Sequence, residues 1–236
     1  MSAALAEPIA EPPASRFRAR EWEGSYWAPQ ERPDGTVVDI LRDFYIPALS
    51  ASRRYDRLTG FFSSTALVSA EAGYAALAAA GGKARIIAGV DLNNPGDLDA
   101  IFEGETLRNR ILSEFGPPGA FPFRARPQDR LRWAVASGLI EFRFAIRVHQ
   151  ESGEPLPYGD SSDGYAHTKM ASFEDADGDF IFMSGSLNES RTALEVNSEN
   201  IEVDRSWAGG VKHIRMAHYL VPRHLKWKQV YRACRR

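Results

Sequence analysis

The chain has one cysteine, Cys234, among 236 residues. A single thiol excludes an intrachain disulfide framework and a zinc site built on cysteine pairs. No apolar run approaches the eighteen or more residues that a bilayer span needs, so no membrane segment is expected. The first fifteen residues are rich in Ala, Pro and Glu and lack the basic start and apolar core of a secretion signal. A reducing cytoplasm is the expected compartment. Familiar catalytic signatures are also missing. There is no Gly-x-Ser-x-Gly elbow and no His-Glu-x-x-His, and Gly81-Gly82-Lys83 lacks the further glycine and hydroxyl residue of a nucleotide-binding P-loop. Serine-hydrolase, zinc-peptidase and ATP-motor chemistry are therefore not expected, and no cofactor or metal is expected.

Acid is absent from one end. Residues 205–236 hold nine Lys and Arg and no Asp or Glu, which leaves twenty basic and thirty-one acidic residues in the body. An acidic body is not the footprint of a strong sequence-independent DNA binder, so any such affinity must come from a local patch, the tail or a partner. The tail has two readings. Trp227, Tyr231 and interleaved Arg and Lys suit a basic helix on a phosphate backbone. Alternatively, residues 208–236 are the product of a truncated or shifted reading frame, because acids stop abruptly and three of the five histidines fall there.

What is present is concentrated in one stretch. His167-Thr168-Lys169 is followed by a strand-like run, a turn over 175–178, a returning run over 179–184, and then Gly185-Ser186-Leu187-Asn188. A period-2 strand would place His167 and Lys169 on one face, about 6–7 Å apart. The hairpin would carry Ser186 and Asn188 back beside them. This set joins a nucleophile, a fixed cation and two neutral hydrogen-bonding groups, which suffices to attack a phosphodiester without a metal. Glu199 supplies the carboxylate that a catalytic imidazole needs for orientation. His-x-Lys alone means little, since His224-Leu225-Lys226 also matches it but has no Gly-Ser-x-Asn after it. Arg143 and Arg147 read as a solvated strand face or as phosphate guidance.

The remaining pattern alternates helix and strand. Residues 1–34 are expected to be poorly ordered. Helices are expected over 36–50, 64–80, 99–115, 127–137 and 189–194, and strands over 54–61, 83–90, 140–148, 165–173, 179–184 and 199–204, with a long loop over 149–164. That order predicts a single α/β sandwich with a mixed sheet flanked by helices.

His167-x-Lys169, an acid five residues on at Glu174, and Gly185-Ser186-x-Asn188 together resemble the phospholipase D superfamily. Tyr55-Asp56-Arg57-Leu58-Thr59-Gly60 and the run from Ala84 to Val90 are similar to the opening of the phospholipase D-like domain found at the front of bacterial DNA helicases. The resemblance spans roughly residues 36–207, within an expected domain of 35–207. It implies that His167 attacks phosphorus, that Lys169 and Asn188 bind the non-bridging oxygens, that Ser186 and Glu199 support the site, and that Glu174 holds the loop. It also implies a homodimer, because one motif per chain lacks the second histidine that must protonate the leaving group. The expected partner is nucleic acid, with DNA favoured, and a helicase motor encoded downstream. The expected activity is that of a metal-independent nuclease. The other reading is a non-catalytic DNA-targeting module that keeps the motif as a phosphate cradle.

Overall fold

The protein is described from a computed structural model, which covers residues 17–89, 95–145 and 167–208. The expectations made for the 149–164 loop, for Arg147 and for the tail beyond Ala208 fall on residues outside that range. No helix among the described residues is long and apolar enough to cross a membrane.

Seven strands form one mixed sheet in the order β1-β7-β6-β5-β2-β3-β4. They are β1 (Ser25–Ala28), β2 (Arg54–Thr59), β3 (Lys83–Gly89), β4 (Ile140–Ala145), β5 (Met170–Glu174), β6 (Phe180–Gly185) and β7 (Glu199–Arg205). β2, β3 and β4 run parallel, and β5, β6, β7 and β1 continue the sheet antiparallel from the other side of β2. The parallel strands are joined through helices, as their topology requires. Those helices are α2 (Ala66–Ser69) and α3 (Glu71–Ala79) between β2 and β3, then α4 (Pro95–Thr106), α5 (Arg108–Phe115) and α6 (Pro127–Ser137) before β4. Both crossovers step the same way along the sheet, so right-handed connections put both helix sets on one face. Arg130 of α6 pairs there with Glu71 at 2.8 Å. α1 (Ile46–Ala51) joins the layer against α3. Gly73 permits this approach, since a Cβ there would stand 2.8 Å from the Leu49 Cβ.

The sequence reading of 36–50 as one helix needs correction. The segment has a π-helical turn, Ile40–Tyr45, ahead of α1. The N-cap is Asp39, whose side chain accepts from Arg42 N at 3.0 Å. Pro47 explains the change of winding, because it has no N–H for the carbonyl four residues back, at Asp43. That carbonyl accepts from Arg20 Nη2 at 2.9 Å.

The expectation of poor order over 1–34 is corrected for its second half. Phe17, Trp22 and Tyr26 are buried in the main core. Phe17 N donates to Asp175 Oδ2 at 3.1 Å, and Arg18 Nη2 to Asp179 Oδ1 at 2.9 Å. β1 pairs with β7 along its whole length. Three aromatic anchors in a Pro-, Ala- and Glu-rich stretch are enough to hold it, and average composition hides them. The segment over 64–80 is likewise two helices rather than one, interrupted at Ala70.

Candidate functional site

Strand order gathers the candidate residues other than Glu174 along one edge of the sheet. β2 and β6 end there, and β5 and β7 begin there. This is also the carboxyl edge of the parallel strands, where open α/β sheets bind ligands. Lys169 lies immediately before β5, and Gly185-Ser186-Leu187-Asn188 leaves the end of β6. Gly185 N donates to Lys169 O at 3.3 Å, which ties the two segments together. Gly185 has φ 156°, and a Cβ on it would stand 2.1 Å from Asn200 O. Only glycine lets the loop pass this close to β7.

Lys169 is buried, at 6% exposure. Its Nζ donates to the carbonyl oxygen of His167 at 2.6 Å. Burial, and then the Arg57 charge, lower its pKa, and Glu199 opposes them. Asn188 is oriented from its carbonyl side. Its Oδ1 accepts from Phe61 N at 3.2 Å, with Thr59 Oγ1 at 3.3 Å. A backbone N–H can only donate, so the amide orientation is fixed and Nδ2 faces away with its donors. Ser186 Oγ donates to Glu199 Oε2 and accepts from Asn200 N at 3.0 Å. Asn197 Nδ2 donates to Glu199 Oε1 at 3.2 Å. Glu199 therefore sits buried at the start of β7, held by hydrogen bonds to both oxygens.

Two sequence expectations are corrected here. His167 is not on a strand, because β5 starts only at Met170. His167 is exposed while Lys169 is buried, so the two do not share a strand face. Glu174 is not at the site either. It lies at the far end of β5, about 17 Å along the strand from Lys169. There it is half-exposed, 3.8 Å from Arg54. The neighbouring acid does the loop-holding expected of Glu174. Asp175 is 4% exposed and accepts from Phe17 N and from the turn amides of Asp177 and Asp179.

The sequence reading also missed what lies beneath the loop. Glu189, next after Asn188, is fully buried. Tyr45 and Tyr74 donate to its Oε1, the latter at 2.7 Å, and Tyr55 donates to Oε2 at 2.9 Å. Arg57 Nε lies 3.1 Å from the same Oε2. The angle is too poor for a hydrogen bond, so Nε and Nη1 keep no such partner. Charge attraction holds the pair, and Nη2 donates to Leu187 O. Burial, and then the Glu189 charge, raise all three phenols well above their ordinary range, so they remain donors. A usable signal was present. Period 2 puts Arg57 on the same face as Tyr55 and Thr59, and a charge on a core face demands a partner.

The arrangement can bind an oxyanion. Lys169 offers one cation and Asn188 one oriented donor pair. Ser186 and Glu199 close the other side, and His167 stands two residues from Lys169 at the rim. No family model matches the sequence, and no curated protein matches it. Among solved structures, the chain is similar to NucT from Helicobacter pylori, with TM-score 0.47 and 15% identity over 83% of this chain and 91% of that one. It is also similar to Nuc from Salmonella typhimurium, a phospholipase D family member, with TM-score 0.36 and 15% identity over 76% and 79%. A mutant of yeast tyrosyl-DNA phosphodiesterase 1 gives TM-score 0.36 and 10% identity over 66% of this chain and 26% of that one.

Proposed function

We propose that the chain is a phospholipase D-like phosphodiesterase, a nuclease acting on DNA without a metal. One observation carries the reading. Lys169 and the donor side of Asn188 come from opposite ends of a hairpin to one edge of the sheet, and Glu199 and Ser186 are bonded to each other beside them. In the proposed reaction an imidazole nitrogen of His167 attacks phosphorus and the P–O bond to the leaving group breaks. Lys169 Nζ and Asn188 Nδ2 bind the non-bridging oxygens, where negative charge spreads in the transition state. Glu199 stabilises the imidazolium. The leaving oxygen needs a proton, and a second copy of the chain would supply it from its own His167. The same group would then take a proton from water as water cleaves the P–N bond and restores free His167. A symmetric homodimer is therefore part of the proposal, as is a helicase motor encoded downstream.

The exposed, non-strand position of His167 favours a second reading, a DNA-targeting module in which Lys169 and Asn188 only hold phosphate. Turnover of bis-p-nitrophenyl phosphate in EDTA separates the two. The nuclease reading expects turnover that survives EDTA and disappears in His167→Ala. Phosphate binding without turnover at any protein concentration would leave only the module.

A further inference from the structure

Beside the phosphate cradle lies a groove of different chemistry. β1 alternates, so Tyr26 packs into the core and Trp27 turns outward beside Asn200, its partner on β7. Trp27 is 53% exposed, although Phe17, Trp22 and Tyr26 of the same segment are buried. An indole left in water beside a candidate site lacks the packing reason that its neighbours have. It forms part of a groove of about 620 Å³, with Ser25 and Gln30 on the same side and Ser198, Glu199 and Asn200 opposite. That volume suits a small organic group.

Among the described residues the lining contains no cation, and Glu199 is its only charge. A phosphate would be repelled here and drawn to Lys169 instead. The groove fits a neutral, flat group with hydrogen-bonding edges. A nucleobase has these properties, whereas a lipid chain has no use for the amides and hydroxyls, and a glycerol has no flat face for the indole. Glu199 lines the groove and is bonded to Ser186 of the cradle, so the groove adjoins the cradle at the start of β7.

We propose that this groove binds the base of the nucleotide adjoining the scissile phosphate, stacked on Trp27, with Gln30 and Asn200 at its edges. The proposal rests on the phosphodiesterase reading and narrows the substrate to a strand with an unpaired base. Stacking of this kind tolerates any base, because every base has a π face.

Fluorescence anisotropy on the non-cutting His167→Ala chain tests it. The probes are a fluorescein-labelled thymidine 12-mer and an abasic deoxyribose-phosphate 12-mer. The expected result is tighter binding of the thymidine probe, with Trp27→Ala lowering that preference about five- to 150-fold, the usual worth of one stacked base. Trp27→Phe should keep part of the preference. Equal binding of the two probes, or a Trp27→Ala chain that loses both in proportion, would overturn the base site and leave the phosphodiester reading standing. Binding of neither probe would overturn both.

Discussion

The two halves of the candidate site are held in opposite ways. The loop carrying Ser186 and Asn188 is anchored from below by a buried carboxylate with three phenols and a guanidinium around it. His167 sits outside the sheet, exposed, and Lys169 reaches back to its carbonyl. On the proposed reading, one half is a fixed receptor for phosphate and the other is an exposed arm that carries the nucleophile. Such a division suits a covalent route, because the nucleophile must approach and then leave phosphorus while the oxygens stay bound.

Mutations should separate these halves. The largest effect is expected for His167→Ala. Turnover should fall by about four orders of magnitude, as when a covalent route is lost, with the melting temperature unchanged because the side chain is exposed. A matching drop in melting temperature would mean that the arm is structural after all. Next is Glu189→Ala. It leaves Arg57 as an uncompensated buried charge, and urea unfolding should show a loss of about 3–5 kcal/mol. A change within experimental error would show that the anchor is dispensable. Asn188→Asp keeps the shape but replaces the Nδ2 donors with negative charge. Steady-state kinetics should show a loss of about 10²–10³ in kcat, with little change in stability.

The smallest effect concerns pH. Phosphate binding needs the Lys169 ammonium, whose pKa is lowered first by burial and then by Arg57. The alkaline limb of kcat/KM should therefore fall below the ordinary lysine range. Glu199 works the other way, so Glu199→Gln should move that limb further down. A pH–rate profile in which the limb stays or rises would mean that Lys169 does not govern it.

The sequence displayed the receptor half better than the arm. The turn over 175–178 is marked by local chemistry, and its Asp175 and Gly178 close it as expected. α6 begins and ends where Pro127 and Gly138 indicate. His167 was misplaced because alternation was extended to it, three residues ahead of the start of β5. Glu174 was chosen over Asp175 by its spacing from Lys169, and spacing does not reveal which acid turns inward. Arg57 on a core face signalled that a partner was needed, but which residues supply it was hidden for a deeper reason. Tyr45, Tyr55, Tyr74 and Glu189 meet only because β5 and β6 insert beside β2, and no local periodicity encodes a pairing between distant strands. Composition misled at the front, where three aromatic residues outweigh their Pro- and Ala-rich surroundings.

Strand order has a consequence for the chain as it is being made. Tyr26 pairs with Ile201, so β1 has no lateral partner until β7 has been synthesised. At about 5–20 residues per second, β1 emerges roughly 10–35 s before its partner. Through that interval its edge has no native cover, and β2 still lacks β5. Glu199 arrives with β7 itself. A nascent chain thus has no complete candidate site until β7 has been synthesised.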